Sequence, residues 1–355
     1  MRIATLSNGS VEHTRRWVAY FRSRGHEVRV WTLEPPHPEL DAERLPHPPL
    51  PGFLRYPLAL PALERALGRF EPDLVDAHYV PNYGLLGALT KRHPLAVTAW
   101  GSDLLVAGRR GPLERARTRY VLERADLVLA DAENLAAAAR ALGAADAKVR
   151  MIPWGVEPER FSVAAAREAG LLVSARMHEP VYDLGTVLRG ARLVLERHPQ
   201  ARLVMAGDGS LRPALEREAA ELLPAGRWRF TGRLAAEELA ALLARADVYL
   251  SASRSDSTSV SLLEAMAAGA VPVVSDIEGN REWVTEGAGA RLFPCGDAAA
   301  LAAAVARVLD GPAWADAARE RNRGVVRERA DWRRNLGRIE TLFAELVATS
   351  RGGRG

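Results

Sequence analysis

The chain has one cysteine, two lysines and no long apolar run. A single thiol, Cys295, excludes a disulfide framework and fits a reducing compartment. No stretch approaches the ~18 consecutive apolar residues of a membrane span. The opening MRIATL reads as an apolar strand and not as a signal peptide, which makes a cytoplasmic location the expectation. Lysine is nearly missing: of 48 basic residues only Lys91 and Lys148 are lysines, so the rest are arginine. Against 44 acidic residues this leaves a net charge of only +4. Basic clusters interleaved with aromatic platforms are not found, and no nucleic-acid partner is expected. There is no G-x-G-x-x-G after the first strand, which removes the dinucleotide fingerprint. There is also no H-E-x-x-H, no cysteine cluster and no D-x-D after an apolar strand, so no metal site is expected.

What is present is alternation. The 355 residues, 48% apolar and 26% charged, suit two ordinary globular domains. Apolar β-rich runs alternate with Ala/Leu/Arg-rich amphipathic runs, the pattern of parallel sheets with helical crossovers. Strands are expected near Ile3–Leu6, Val28–Leu33, Leu74–Ala77, Ala96–Ala99, Leu127–Ala130 and Val149–Ile152. A second set falls near Leu171–Ser174, Arg202–Met205, Arg229–Thr231, Val248–Leu250, Val271–Val274 and Arg291–Phe293. Two sets of six make the fold class α/β, with two doubly wound, Rossmann-like domains. Ligands then belong at the C-terminal strand ends, in a cleft between the domains. Residues 35–61 hold nine prolines and no helical pattern. Such a segment is either a binding loop or a proline-stiffened surface connection.

The most informative stretch is Ser251–Ser275, SASRSDSTSVSLLEAMAAGAVPVVS. It reads as a strand end, a polar loop from Ser253 to Ser259, a helix from Val260 to Gly269 and a second strand. Small hydroxyl residues feeding a helix start leave backbone N–H groups and the helix dipole pointing outward, which suits an anion. Asp256 and Glu264 add carboxylates for sugar hydroxyls, so the set suits a sugar nucleotide. The plain alternative is an N-cap with an ordinary helical glutamate.

Three other turns follow strands. Ser7-Asn8-Gly9-Ser10 lets the backbone approach a pyrophosphate, or is simply an Asn-Gly turn. Asp76-Ala77-His78 and Thr98-Ala99-Trp100-Gly101-Ser102-Asp103 place His78, Trp100 and Asp103 at strand ends, where a lone histidine is either structural or catalytic.

The run from Asp256 through EAMAAGAVPVV resembles the donor site of retaining glycosyltransferases of the two-Rossmann (GT-B) architecture, specifically the group 1 (GT4-like) family. The resemblance covers almost the whole chain. It implies an α/β GT-B fold with an acceptor-side domain over 1–160 and a donor domain over 161–330. It further implies a helix over 331–350 crossing back to the first domain; the Gly/Arg-rich tail 351–355 reads as disordered. Glu264 would bind the ribose of the donor, and Asp256, where the family has glutamate, would lie near the donor sugar. Arg176 would hold the diphosphate, together with Thr258, Ser259, Val260 and Ser261. Gly9 would face the diphosphate. Gly207, Asp208 and Gly209 match the family's G-x-G loop, and Arg233 and Leu234 follow its F-x-G segment beside the nucleobase.

Two departures stand out. The family's phosphate-binding lysine and the glycine after it are Val181 and Tyr182 here, and Arg254 is the candidate second cation or an ordinary exposed arginine. The family's T-x-H-G histidine is Trp100, leaving Asp256, His78, Asp103 and Trp100 as the candidate catalytic set.

The resemblance implies metal-independent transfer from a nucleotide diphosphate sugar to an acceptor hydroxyl, with retention of configuration and no bound cofactor. The acceptor would be a glycan, a lipid or a small molecule, in cell-envelope polysaccharide, glycolipid or related glycan synthesis. The Arg-rich segment Arg109–Arg124 reads as a peripheral contact with the inner face of a membrane or as a solvated helix face. Rival readings are a sugar-nucleotide epimerase on the same scaffold and a catalytically impaired homologue that binds nucleotide sugar.

Overall fold

A computed structural model describes residues 1–50, 52–106, 111–163 and 165–352. The chain divides into two compact units. The first joins Met1–Pro153 to Arg333–Gly355, and the second is Trp154–Trp332.

The first unit is built on seven strands: β1 (Arg2–Leu6), β2 (Glu27–Thr32), β3 (Ala42–Arg44), β4 (Leu74–His78), β5 (Leu95–Thr98), β6 (Leu127–Ala130) and β7 (Val149–Met151). Their order is β3-β2-β1-β4-β5-β6-β7 and every pair is parallel. The second unit has β8 (Leu171–Ser174), β9 (Arg202–Ala206), β10 (Trp228–Gly232), β11 (Val248–Ser251), β12 (Val271–Ser275) and β13 (Arg291–Phe293). These run β10-β9-β8-β11-β12-β13, again all parallel. Both sheets therefore reverse direction beside their first strand, between β1 and β4 and between β8 and β11. That reversal is the doubly wound signature and marks where loops diverge to receive a ligand.

Helices cover both faces of each sheet, so the strands are apolar on both sides. In the second unit alternate residues go to opposite cores. Leu172, Leu203, Leu250 and Val273 join one core, and Val173, Val204, Tyr249 and Val274 the other. The helix Trp332–Gly352 ends the chain within the first unit. Phe343 stacks on Phe21 at 5.5 Å, and Glu340 accepts from Tyr20, Arg24 and His26 at 3.1, 3.1 and 2.9 Å. Arg351 and Gly352 continue this helix and do not form a disordered tail; residues 353–355 lie outside the described set.

The proline-rich segment differs from its sequence reading. It contributes the three-residue strand β3 and a short helix, Arg55–Leu58. Proline cannot donate to a ladder, but the Ala42–Arg44 stretch contains none and pairs at the sheet edge. Among the described residues, no helix is long and apolar enough to cross a membrane.

Candidate active site

The site in the second unit is assembled by three loops at the C-terminal ends of β8, β9 and β11. The loop after β8 carries Arg176, which is buried. One of its Nη atoms donates to Ser261 Oγ at 3.0 Å and to Ser259 Oγ, and the other donates to Asp256 Oδ2 at 2.5 Å. Tyr182 places its ring 4.1 Å from the guanidinium carbon, a cation–π support from the residue that replaces the family's glycine. Burial works against the charge of Arg176, and the Asp256 carboxylate outweighs it, lifting the guanidinium above its ordinary pKa. This arginine is a permanent cation.

Ser259 is the N-cap of the helix Val260–Ala268, in extended conformation, with its Oγ facing the Leu262 N–H. Ser261 Oγ also meets the Tyr249 hydroxyl at 2.7 Å, and Thr258 Oγ1 accepts from Trp283 Nε1 at 3.2 Å. The serine-rich loop thus serves first as a scaffold that fixes Arg176 at a helix start. Glu264 is half-buried on this helix. Its C-terminus is closed by Gly269 in the left-handed region (φ 85°), which accounts for the glycine of EAMAAG.

Arg254, the candidate second cation, lies beside Val181. Its N–H donates to Val181 O at 2.8 Å. Its guanidinium, 60% exposed, pairs with Asp183 at 2.7 Å. Both departures from the family pattern, Val181 and Tyr182, therefore touch arginines of this loop cluster.

The loop after β9 fits tightly against the one after β8. Gly207 has φ 135°, and a Cβ there would lie 2.3 Å from Arg176 O. Asp208 accepts from the Gly209 N–H at 2.8 Å and from Arg212 at 3.2 Å, and its side chain is about half-exposed. A Cβ on Gly209 would meet His178 O at 2.6 Å. Arg233 is exposed, and Leu234 packs on the core behind. Two supports escaped the sequence reading. Gly279 packs against the Asp256 and Ser257 carbonyls, where a Cβ would come within 2.5 and 2.3 Å. His178 is fully buried between these loops and stands edge-on to Phe230 at 5.5 Å.

In the first unit the polar strand ends are more structural than the sequence suggested. His78 is 1% exposed and bonds Asp76 at 3.0 Å, and Asp76 also accepts from Trp17 Nε1 at 2.9 Å and Thr98 at 3.3 Å. Asp103 is fully buried and accepts from the N–H groups of Val80, Trp100 and Leu104 at 3.0, 3.1 and 3.0 Å. Burial nevertheless pushes its carboxyl up to about 6 against those three bonds. Asp103 clamps its loop, and His78 lies in the core beside Asp76. The Gly9 N–H donates to Thr32 Oγ1 at 2.9 Å.

Trp100 is half-exposed and edges His13, His78 and Tyr79 at 6.2, 5.8 and 6.3 Å. Tyr79 has φ 66°, a strained value for an aromatic residue at a strand end, and opens a π-helical turn, Tyr79–Gly84. That turn aims Tyr83 at Glu34, and Arg55 reaches the same carboxylate at 2.5 Å. These residues carried no motif; the only signal was the proline-rich segment that holds Glu34 close to Arg55 in sequence.

Family profiles settle what this geometry belongs to. The profile described as "Glycosyltransferase Family 4" matches residues 7–160, and "Glycosyl transferases group 1" matches 168–311. The chain is a group 1, family 4 glycosyltransferase. A phosphatidyl-myo-inositol mannosyltransferase of Mycobacterium tuberculosis is 27% identical over 377 residues, covering 97% of this chain and 95% of that one. Its Mycolicibacterium smegmatis namesake is 25% identical, covering 86% and 82%. A glycogen synthase of Mycobacterium tuberculosis is 33% identical over 59% of this chain and half of its own length. The glycosyltransferase also shares its fold with sucrose-phosphate synthase from Thermosynechococcus elongatus (TM-score 0.87, 20% identity, 98% and 100% coverage). A second such structure is Anabaena HepE in complex with UDP-glucose (TM-score 0.83, 17% identity, the same coverage).

Proposed function

We propose that the protein moves a sugar from a nucleoside diphosphate sugar to an acceptor hydroxyl, with retention of configuration and without a metal ion. The observation that carries this is Arg176, a buried cation fixed at a helix start between Ser259, Ser261 and Asp256. The helix N-terminus and the guanidinium favour the same thing, a pyrophosphate.

The second unit binds the donor. Glu264 accepts the ribose hydroxyls. The diphosphate lies on Arg176 and the first-turn N–H groups of the helix Val260–Ala268, with the exposed head of Arg254 as the second cation. Asp256 exchanges its bond to Arg176 for a hydroxyl of the donor sugar. In transfer, the bond between the anomeric carbon and the β-phosphate oxygen breaks, and the acceptor oxygen bonds that carbon on the same face. The acceptor proton passes to the departing phosphate oxygen. Negative charge grows on the diphosphate, and preorganised cations aimed at it supply the largest share of the acceleration. Metal independence follows in this proposal from two arginines filling that role. The first unit binds the acceptor, with Trp100 as a stacking face.

The mannosyltransferase relatives, which act by name on phosphatidyl-myo-inositol, support a lipid-borne acceptor and a place in glycolipid or envelope-glycan synthesis at the inner face of the membrane. A surface in the first unit supports it as well. Leu54, Leu58 and Leu113 are about half-exposed, and Arg117 lies over Phe53 at 4.4 Å, one helical turn from Leu113. Arg109 and Arg110, part of the Arg109–Arg124 segment, lie outside the described residues.

Incubation with uridine, guanosine and adenosine diphosphate sugars, with and without a chelator, tests the proposal. Acceptor-dependent release of nucleoside diphosphate that survives the chelator, with a product of unchanged anomeric configuration, is the expected result. Conversion of the donor without any acceptor would contradict it.

A further inference from the structure

We infer that the second unit carries a separate binding site for a phosphorylated small molecule, at the opposite end of its sheet from the donor loops. The donor loops leave the C-terminal ends of β8, β9 and β11. A cavity of ≈ 310 Å³ opens at the N-terminal ends of β8, β9 and β10, a strand's length or roughly 15 Å away. Arg202, Arg227, Arg229, Arg245, Glu168 and Trp228 line it.

Several exposed arginines pair one to one with a carboxylate, as Arg119 does with Glu123, Arg140 with Asp146 and Arg192 with Glu196. Among the described residues that line the cavity, one carboxylate stands against four guanidinium groups. Glu168 bridges Arg202 at 2.8 Å and Arg245 at 2.9 Å. Arg227 donates to the Ala201 and His198 carbonyls, each at 2.8 Å, which orders it without neutralising it. Arg229 is exposed. The cavity therefore holds three positive charges in excess.

A concave, low-dielectric surface of one sign concentrates counter-ions. Guanidinium groups grip phosphate oxygens in pairs, which sets the preferred ligand as a phosphate dianion. Trp228 is half-buried on the cavity wall beside Arg229, and its indole gives a ring on that phosphate a surface to lie on. Sugar phosphates and nucleotides share this chemistry. The site is distinct from the donor machinery, and the inference stands whatever the donor proves to be.

Titration calorimetry on the full chain tests it, with inorganic phosphate, a hexose monophosphate and a nucleoside monophosphate as probes. The proteins are wild type, Arg202→Gln/Arg229→Gln and Arg176→Ala. Both substituted cavity arginines are exposed, so the double variant keeps its fold and its donor turnover. At least one phosphorylated ring compound binds wild type and Arg176→Ala equally, and binds the double variant at least tenfold more weakly. A hexose probe that binds more tightly than the nucleoside probe names a sugar phosphate, and the reverse names a nucleotide. The inference is overturned by no saturable binding of any probe, by binding unchanged in the double variant, or by binding lost in Arg176→Ala.

Discussion

Arg176 and Asp256 face each other at 2.5 Å, although 80 residues separate them in the chain. The cation assigned to the diphosphate and the acid assigned to the sugar are thus each other's partner before the donor arrives. In the proposed function donor binding replaces this pair with two new ones, and the pair leaves the buried Arg176 charge with a counter-charge in the resting site.

Removing the cation should cost the enzyme most of its rate. In Arg176→Ala, kcat/KM for the donor falls by ~10²–10³, the loss typical of one preorganised donor to a developing anion. Arg176→Lys recovers only part of it, because a point charge cannot serve Ser259, Ser261 and Asp256 together. Steady-state kinetics with saturating acceptor make the comparison.

Glu264→Ala should act on binding and not on chemistry. Donor KM rises, and the ability to reject a 2′,3′-dideoxyribose donor falls at the same time. Equal discrimination in both proteins would remove Glu264 from the ribose role.

Arg254→Ala should lower kcat several-fold, with Arg254→Lys near wild type, since this head group is exposed and acts as a charge alone. Thermal stability falls as well, because the Asp183 carboxylate that Arg254 pairs with is only 12% exposed and loses its partner. A kcat unchanged in Arg254→Ala would return this residue to the ordinary surface.

Two buried groups in the first unit should tilt stability with pH in opposite directions. Burial, then the charge of Arg16, depresses His13 from 6.5 to about 4. The unfolded chain therefore binds the extra proton, and stability falls as pH drops from 6.5 towards 4. Asp103 is raised from 3.8 to about 6, so the folded chain holds the extra proton and stability falls as pH rises from 4 towards 6. Relative to wild type, His13→Gln should gain stability at the acid end of this window, and Asp103→Asn at the neutral end. Melting temperatures between pH 4 and 7 measure both trends.

The two halves of the molecule differed in how far they could be read. Arg176, the loop to Ser259 and Glu264 lie in contiguous runs where strand, turn and helix follow in order, and the local pattern brings them to the same strand ends. The partners in the first unit do not. Trp17 reaches Asp76 across 59 residues, and Asp103 takes the N–H of Val80 from 23 residues away. A carboxylate at a strand end looks the same in sequence whether it faces a ligand or three backbone amides. Gly279 was illegible for a similar reason, since nothing local demands a glycine there, only the carbonyls of Asp256 and Ser257. Strand β3 escaped because three pairing residues sit inside a run of prolines that otherwise rules a strand out.

The central claim is that the cluster around Arg176 receives the donor diphosphate. A crystal structure with an intact nucleoside diphosphate sugar tests it most directly. Phosphate oxygens within hydrogen-bonding distance of Arg176 and of the first-turn amides after Ser259, with Asp256 turned to a sugar hydroxyl, are the expected result. A diphosphate bound elsewhere, with the Arg176–Asp256 pair intact, would contradict it.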